Sequence, residues 1–248
     1  MLAFKMFYIN FAVAEVLIVG GEYNPYIINN SGRVEGVFPE IVRAVFQEFD
    51  IDVKFSLMPW KRCEKFIREG RAFAAIPYLH TESRAELFDF SDPVISFYPK
   101  FFYKKQAFPN GFEWNSLTDF KPYIIGGVTG YWYEGTFQEK ELDVQYVAND
   151  KINIKKLMQN RIDFTLIDES VGWYLVNELF PFQDQMDAFA VTKKAESSDA
   201  FHLMISRTYQ NSKELKQAFN KGLKVIQNNA TYHEIIQRYK MSQDYMLH

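Results

Sequence analysis

The chain is poor in the side chains from which disulfides, metal centres and nucleophile–base pairs are built. Its 248 residues include one cysteine, Cys63, so no disulfide can form within the chain. The four histidines stand at 80, 202, 233 and 248. No two share a metal-ligand spacing, and there is no second cysteine to assist them, which argues against a structural metal. No Ser-His-Asp or Cys-His arrangement is evident. The glycines fit neither the dinucleotide fingerprint nor the P-loop. Lys and Arg number 28 against 31 Asp and Glu, a net charge of −3, so no basic field exists to hold nucleic acid. The apolar run near the start is too short to span a bilayer. Repeats, low-complexity tracts and long linkers are absent from the sequence.

Aromatic residues are abundant instead, at 17%, with 24 Phe and 15 Tyr. Aromatic cores explain this most simply; a stacking cleft is the sharper explanation. The first residues, MLAFKMFYINFAVA, carry one lysine before a short apolar run and close on Ala12-Val13-Ala14, the small-x-small form of a signal-peptidase site. Residues 1–14 therefore read as a short secretory signal, which implies export; the alternative is a first strand that begins early.

From residue 15 the pattern alternates. VLIVG suits a buried strand, and Val37, Phe38, Ile41, Val42, Val45, Phe46 and Phe49 recur at helical spacing. IDVKFSLM reads as a strand, WKRCEKFIREG as a helix and AFAAIPY as a buried strand, with the stretch from Glu22 to Gly36 as a loop. Strand–helix–strand order points to a parallel sheet with crossover helices. The order restarts near 115 with YIIGGV, YWYEGTFQEK, LDVQYV, DKINIKKLMQN, DFTLID and ESVGWYLVNEL. Two lobes are expected, residues 15–103 with 197–248 and residues 104–196, because AFHLMIS and two C-terminal amphipathic helices return to the first. Open α/β sheets bind ligands at the carboxyl ends of their strands, so facing lobes place a small-molecule site between them.

The segment PYLHTESRAELFDFSDPV (77–94) carries the most pointed local signal. Thr81 suits a helix N-cap, and Arg84 falls in the first turn, where negative charge is favoured. Its guanidinium either pairs with Glu82, Glu86 or Asp89, or receives an anion from outside, for which its planar fork suits a carboxylate. Asp168 ends a strand; it either projects into the cleft or caps the helix that follows. The Gly-rich turn GGVTGYW, with Thr129 and Gly130, can point N–H groups at an anion.

The ordered set GGEYNPY, GVFPEIVRAVF, TESR with FDFSDPV, GGVTGYWYEG, NRIDFTLIDES and NNATYHEIIQRY resembles the periplasmic solute-binding proteins of family 3, the polar amino-acid-binding components of ABC transporters, over nearly the whole chain. The resemblance implies an α/β, two-lobed, type II periplasmic-binding-protein fold with two hinge strands. It implies a periplasmic, non-enzymatic monomer that needs no cofactor and delivers a small solute to an ABC permease in the inner membrane. By it Arg84 holds a ligand carboxylate with Thr81 beside it. Asp168, or its neighbour Glu169, pairs with an amino group. Thr129 and Gly130 form the second lobe's anion-holding turn, and Tyr26 and Tyr78 pack on the ligand, with Tyr23, Trp60, Trp132 and Trp173 as looser candidates. Phe73 and the bulky IPYL stretch (76–79) depart from the family's usual acid and small hydroxyl residues, and MPWKRC marks a divergent branch. Cyclohexadienyl dehydratases resemble the same family, and there Asp168 or Glu169 would be the general acid. A sensor that reports occupancy to a membrane receptor is a third reading.

Overall fold

The computed structural model describes residues 15–197, 199–239 and 245–247, so the expected signal segment lies outside them. The chain opens with strand β1 (Val16–Gly20), a short hairpin of β2 (Ile28–Asn30) and β3 (Arg33–Glu35), and helix α1 (Val37–Gln47). Strand β4 (Val53–Leu57), helix α2 (Trp60–Arg68) and strand β5 (Ala74–Leu79) follow. The single turn α3 (Glu82–Ala85) then leads to short strands β6 (Asp89–Phe90) and β7 (Ile95–Phe97). β1 lies between β4 and β5, parallel to both. Alternate residues of these strands serve opposite faces. Val16 and Ile18 join the core beneath α1, while Val19 and Ala75 pack with Cys63 and Ile67 of α2. The apolar stripe on α1 is buried as its spacing requires, from Val37 to Phe46.

The chain passes straight through Tyr98 into strand β8 (Pro99–Lys104) of a second sheet. There follow a 3-10 turn at Leu117–Phe120, strand β9 (Ile124–Val128), helix α4 (Glu134–Glu139) and strand β10 (Asp143–Val147). Next come helix α5 (Asp150–Met158), strand β11 (Phe164–Asp168), helices α6 (Glu169–Leu179) and α7 (Gln183–Met186), and strand β12 (Phe189–Val191). The second sheet runs β10-β9-β11-β8-β12. Its core is aromatic: Phe164 meets the rings of Phe101, Phe108, Phe112, Phe120 and Tyr123 at centroid distances of 4.6–6.3 Å.

Strand β13 (Asp199–Ile205) then returns to the first sheet, followed by helices α8 (Ser212–Asn228) and α9 (Thr231–Arg238), which pack on α1. Both sheets differ from the expected all-parallel form. β13 runs antiparallel to β5, and β8 runs antiparallel to β11 and β12. The cause is the double crossing: a strand entering a sheet from the other lobe arrives from the opposite end. The segment 22–36, expected as loop, contains the β2–β3 hairpin, paired from Ile28↔Glu35 to Asn30↔Arg33 around Gly32. Among the described residues no helix is long and apolar enough to cross a membrane.

Candidate functional site

The parallel strands of both lobes end at one interface. β1 and β4 deliver Glu22, Tyr23 and Trp60 from one side, and β5 delivers Tyr78 and Arg84. From the other side β9 delivers Thr129–Trp132 and β10 delivers Asn149 and Asp150. Two contiguous cavities lie there and share Tyr23, Trp60 and Tyr131.

The smaller is lined by Tyr78, Arg84, Gly130, Trp132 and Phe201 besides those three shared rings. Thr81 caps α3 by accepting the Arg84 N–H at 3.3 Å, which fixes the backbone from which the guanidinium projects. Nη1 of Arg84 donates to the Leu79 carbonyl at 3.2 Å. Nη2 reaches Glu64 at 3.5 Å and, across the cleft, the Gly130 carbonyl at 3.3 Å. The guanidinium carbon sits 4.8 Å from the centroid of the Tyr78 ring, a cation–π contact, and the Tyr78 hydroxyl donates to the Trp60 carbonyl at 3.0 Å. The side chain is 14% exposed. None of Glu82, Glu86 and Asp89 is its ion-pair partner: Glu64, twenty residues earlier on α2, takes that place, and Asp89 pairs instead with Arg207. Sequence proximity missed Glu64 because helix α2 folds back over the end of β5.

Trp132 lines this cavity with its indole N–H buried and without an acceptor among the described residues. A buried N–H donor is costly to leave unpaired, so this group is free to meet an acceptor that enters the cavity. Gly130, at φ +86°, takes the left-handed conformation that glycine favours and lets the chain turn its carbonyl toward Arg84. Its N–H is already used, donating to Glu134 at 2.8 Å, so the turn holds an anion from its own chain. Lys61 on α2 pairs with the same Glu134 at 3.7 Å, a second tie across the cleft.

The larger cavity contains Thr129, Glu22, Asn24, Lys61, Tyr146, Asp150 and Glu178. Asn149 caps α5 by accepting the Ile152 N–H, which places Asp150 as the first helical residue. Asp150 is buried, and one of its oxygens accepts a short hydrogen bond from the Tyr131 hydroxyl. Burial pushes its carboxyl up to about 7, opposed in part by that bond.

Asp168 is not at either cavity. It is fully buried at the N-terminus of α6, where it accepts the N–H groups of Ser170 at 3.0 Å, Val171 at 3.3 Å and Tyr98 at 3.1 Å. The Tyr245 hydroxyl approaches at 3.5 Å. Of the two roles open to it in the sequence, the geometry is that of the cap, here bound also to the hinge residue Tyr98. Desolvation raises its carboxyl to about 7 against these donors. Glu169, its neighbour, is paired with Lys100 at 2.6 Å. Tyr26 lines neither cavity; it is fully buried and stacks on Tyr23 at 5.7 Å, behind the cleft wall. Trp173 packs on Phe102, away from the cleft, as core. Among the described residues no group of His, Cys, Asp and Glu is placed to hold a metal ion.

Two α/β lobes joined by two crossings, with polar groups converging where they face each other, define the architecture of periplasmic binding proteins. The chain belongs to the bacterial extracellular solute-binding proteins, family 3, which it matches over residues 16–242. No curated protein matches it. Among solved structures it is similar to a histidine kinase sensor domain with similarity to periplasmic binding proteins (TM-score 0.80, 17% identity, 91% of this chain and 96% of that one). It is also similar to an ancestral arginine-binding protein bound to arginine (TM-score 0.77, 19% identity, 91% and 97%). A third likeness is to a structure described with glutathione import via GshT and the cystine ABC importer TcyBC of Streptococcus mutans (TM-score 0.79, 18% identity, 94% and 97%). At these identities the likeness shows the fold alone.

Proposed function

We propose that the chain is an extracytoplasmic solute-binding protein that captures a small, amino-acid-like carboxylate between its lobes and passes it to an ABC permease of the inner membrane. Residues 1–14 direct its export to the periplasm, and it acts as a monomer. The observation that carries this reading is Arg84, a largely buried guanidinium at the end of a first-lobe strand, bonded across the cleft to Gly130 of the second lobe. Its bonds to Glu64 and Gly130 are long, at 3.5 and 3.3 Å, so an incoming carboxylate offering a shorter bidentate pair displaces them. The Trp132 N–H supplies the next donor. Tyr78 holds the guanidinium plane, and Thr81 fixes its backbone. Contact with both lobes is what lets a ligand favour the closed form.

The geometry favours binding over dehydration. Asp168 is consumed as a cap and Glu169 is paired with Lys100, and neither proposed general acid lines either of the two cavities described above. A thermal-shift screen of the purified protein against amino acids and small carboxylates tests the reading, because a solute that prefers the native state raises the melting temperature. At least one carboxylate-bearing solute is expected to raise it at millimolar concentration. A flat response across the screen, or turnover of prephenate or arogenate, contradicts it.

A further inference from the structure

Helix α3 carries Arg84, yet core packing does not hold it. It is a single turn of four residues, none of them buried. So short a helix has no stability of its own, and its place is set by what binds its two ends. Thr81 caps the first end from within the same segment. The other end is met by Arg207, from a distant part of the chain. Nη1 of Arg207 donates to the Glu86 carbonyl at 2.7 Å, and Nη2 donates to the carbonyls of Ala85 at 2.8 Å and Phe88 at 3.0 Å. Nε donates to Asp89 at 2.9 Å. The last carbonyls of a helix lack partners within it and favour positive charge, and one planar fork here serves several at once.

Sheet register brings Arg207 to this position. β13 pairs Met204 with Phe90 and Ile205 with Asp89, and two more residues along that ladder set Arg207 opposite Leu87, just past α3. The side chains of Arg207 and Asp89 are 45% and 34% exposed, so their ion pair contributes little to stability. The bonds to Ala85 and Glu86 are exposed as well, and water can replace them. What the four bonds provide is geometry. Arg84 directly precedes Ala85, and its own carbonyl accepts the Leu87 and Phe88 N–H groups at 3.0 and 2.9 Å. Arg207 thus grips the turn on the side of Arg84 opposite the Thr81 cap. A bidentate bond to a carboxylate requires a guanidinium held to within about 0.5 Å.

We propose that Arg207 is a positioning residue, which clamps the end of α3, aims the Arg84 guanidinium and so sets the preference for a carboxylate. It lines neither cavity and does not meet the solute itself. This role rests on the carboxylate site at Arg84 proposed above.

Calorimetry on the full chain, with displacement titration for weak probes, tests it. The probes are L-glutamine, L-glutamate and L-arginine, each paired with its own α-carboxamide. Wild-type protein is expected to bind at least one free acid tenfold or more tighter than its carboxamide. Arg207→Gln is expected to cut that ratio at least fivefold while holding the carboxamide within threefold and melting within a few degrees of wild type. Arg207→Lys keeps the charge but offers one ammonium to three carbonyls, so its ratio is expected to fall between the two; it carries the comparison alone if the glutamine variant does not fold. A folded variant with the wild-type ratio overturns the role. So does one that weakens acid and carboxamide alike, the result expected if Arg207 merely supports the lobe. A wild type that does not distinguish acid from carboxamide, or binds no probe, instead refutes the carboxylate site, and the role of Arg207 falls with it.

Discussion

At the scale of the residue, two buried carboxyls contribute to how the protein responds to pH. Burial raises both Asp150 and Asp168 from the ordinary value near 3.8 to about 7. The groups facing them are neutral phenols and backbone N–H groups: Tyr131 and Tyr133 near Asp150, Tyr98 N–H, Tyr26 and Tyr245 near Asp168, and Tyr23 interacting with both, more strongly with Asp168. A carboxyl whose pKa is raised in the folded state keeps its proton there after the unfolded chain has lost its own. Its stabilising contribution is therefore full below about pH 4 and is lost as pH rises through about 7, at a slope of up to roughly 1.4 kcal/mol per pH unit for each group. Thermal melts are expected to show this contribution falling between pH 5 and pH 7.5. Asp168→Asn is expected to be less stable throughout, because the amide turns one donor toward backbone donors, yet to show a shallower slope because one raised carboxyl no longer titrates. An unchanged slope in that variant contradicts the assignment.

The same scale shows why some of the site was legible and some was not. Arg84, Thr81 and Tyr78 come from one continuous segment, and the turn that caps Arg84 is written in its own residues. Asp168 carried two readings because a strand end and a helix start coincide there; burial and Tyr98 decide between them. Glu64 and Asp150 had no local mark. Glu64 reaches the guanidinium only because α2 folds over β5, and Asp150 looks like any acid in a first helical turn until Tyr131 is placed against it.

At the scale of the element, helical spacing was the most informative signal. The stripes on α1 and α8 are buried as written, and the two helices meet where Gly222 lets the backbone of α1 approach. A methyl group at Gly222 would stand 2.7 Å from the Val45 carbonyl oxygen and 2.9 Å from a Val45 methyl. The first of these atoms is backbone and cannot swing aside. Gly222→Ala is therefore expected to destabilise the first lobe by about 1–3 kcal/mol, despite alanine's better helix propensity. Urea unfolding measures it; an unchanged or raised midpoint shows that α8 is free to shift. Strand direction, by contrast, was not legible. β13 reads as one more apolar strand, and only its arrival from the second lobe makes it antiparallel to β5.

At the scale of the whole molecule, the two-lobed division follows from the restart of the α/β pattern near residue 115, and the aromatic excess divides between a phenylalanine core in the second lobe and a tyrosine–tryptophan wall at the interface. The lobes touch through Arg84 with Gly130, Lys61 with Glu134, and rings from both sides. The exposed lysine pair is worth little by itself. On the proposed reading, Arg84 is the group whose removal would most directly unlink solute from closure. Calorimetry of Arg84→Ala with the solute that most raises the wild-type melting temperature tests this. Truncating one partner of a buried charge pair costs ~2 kcal/mol or more, so affinity is expected to fall by roughly thirtyfold or beyond while the variant still melts cooperatively. A folded Arg84→Ala protein that binds the solute as tightly as wild type would contradict the account.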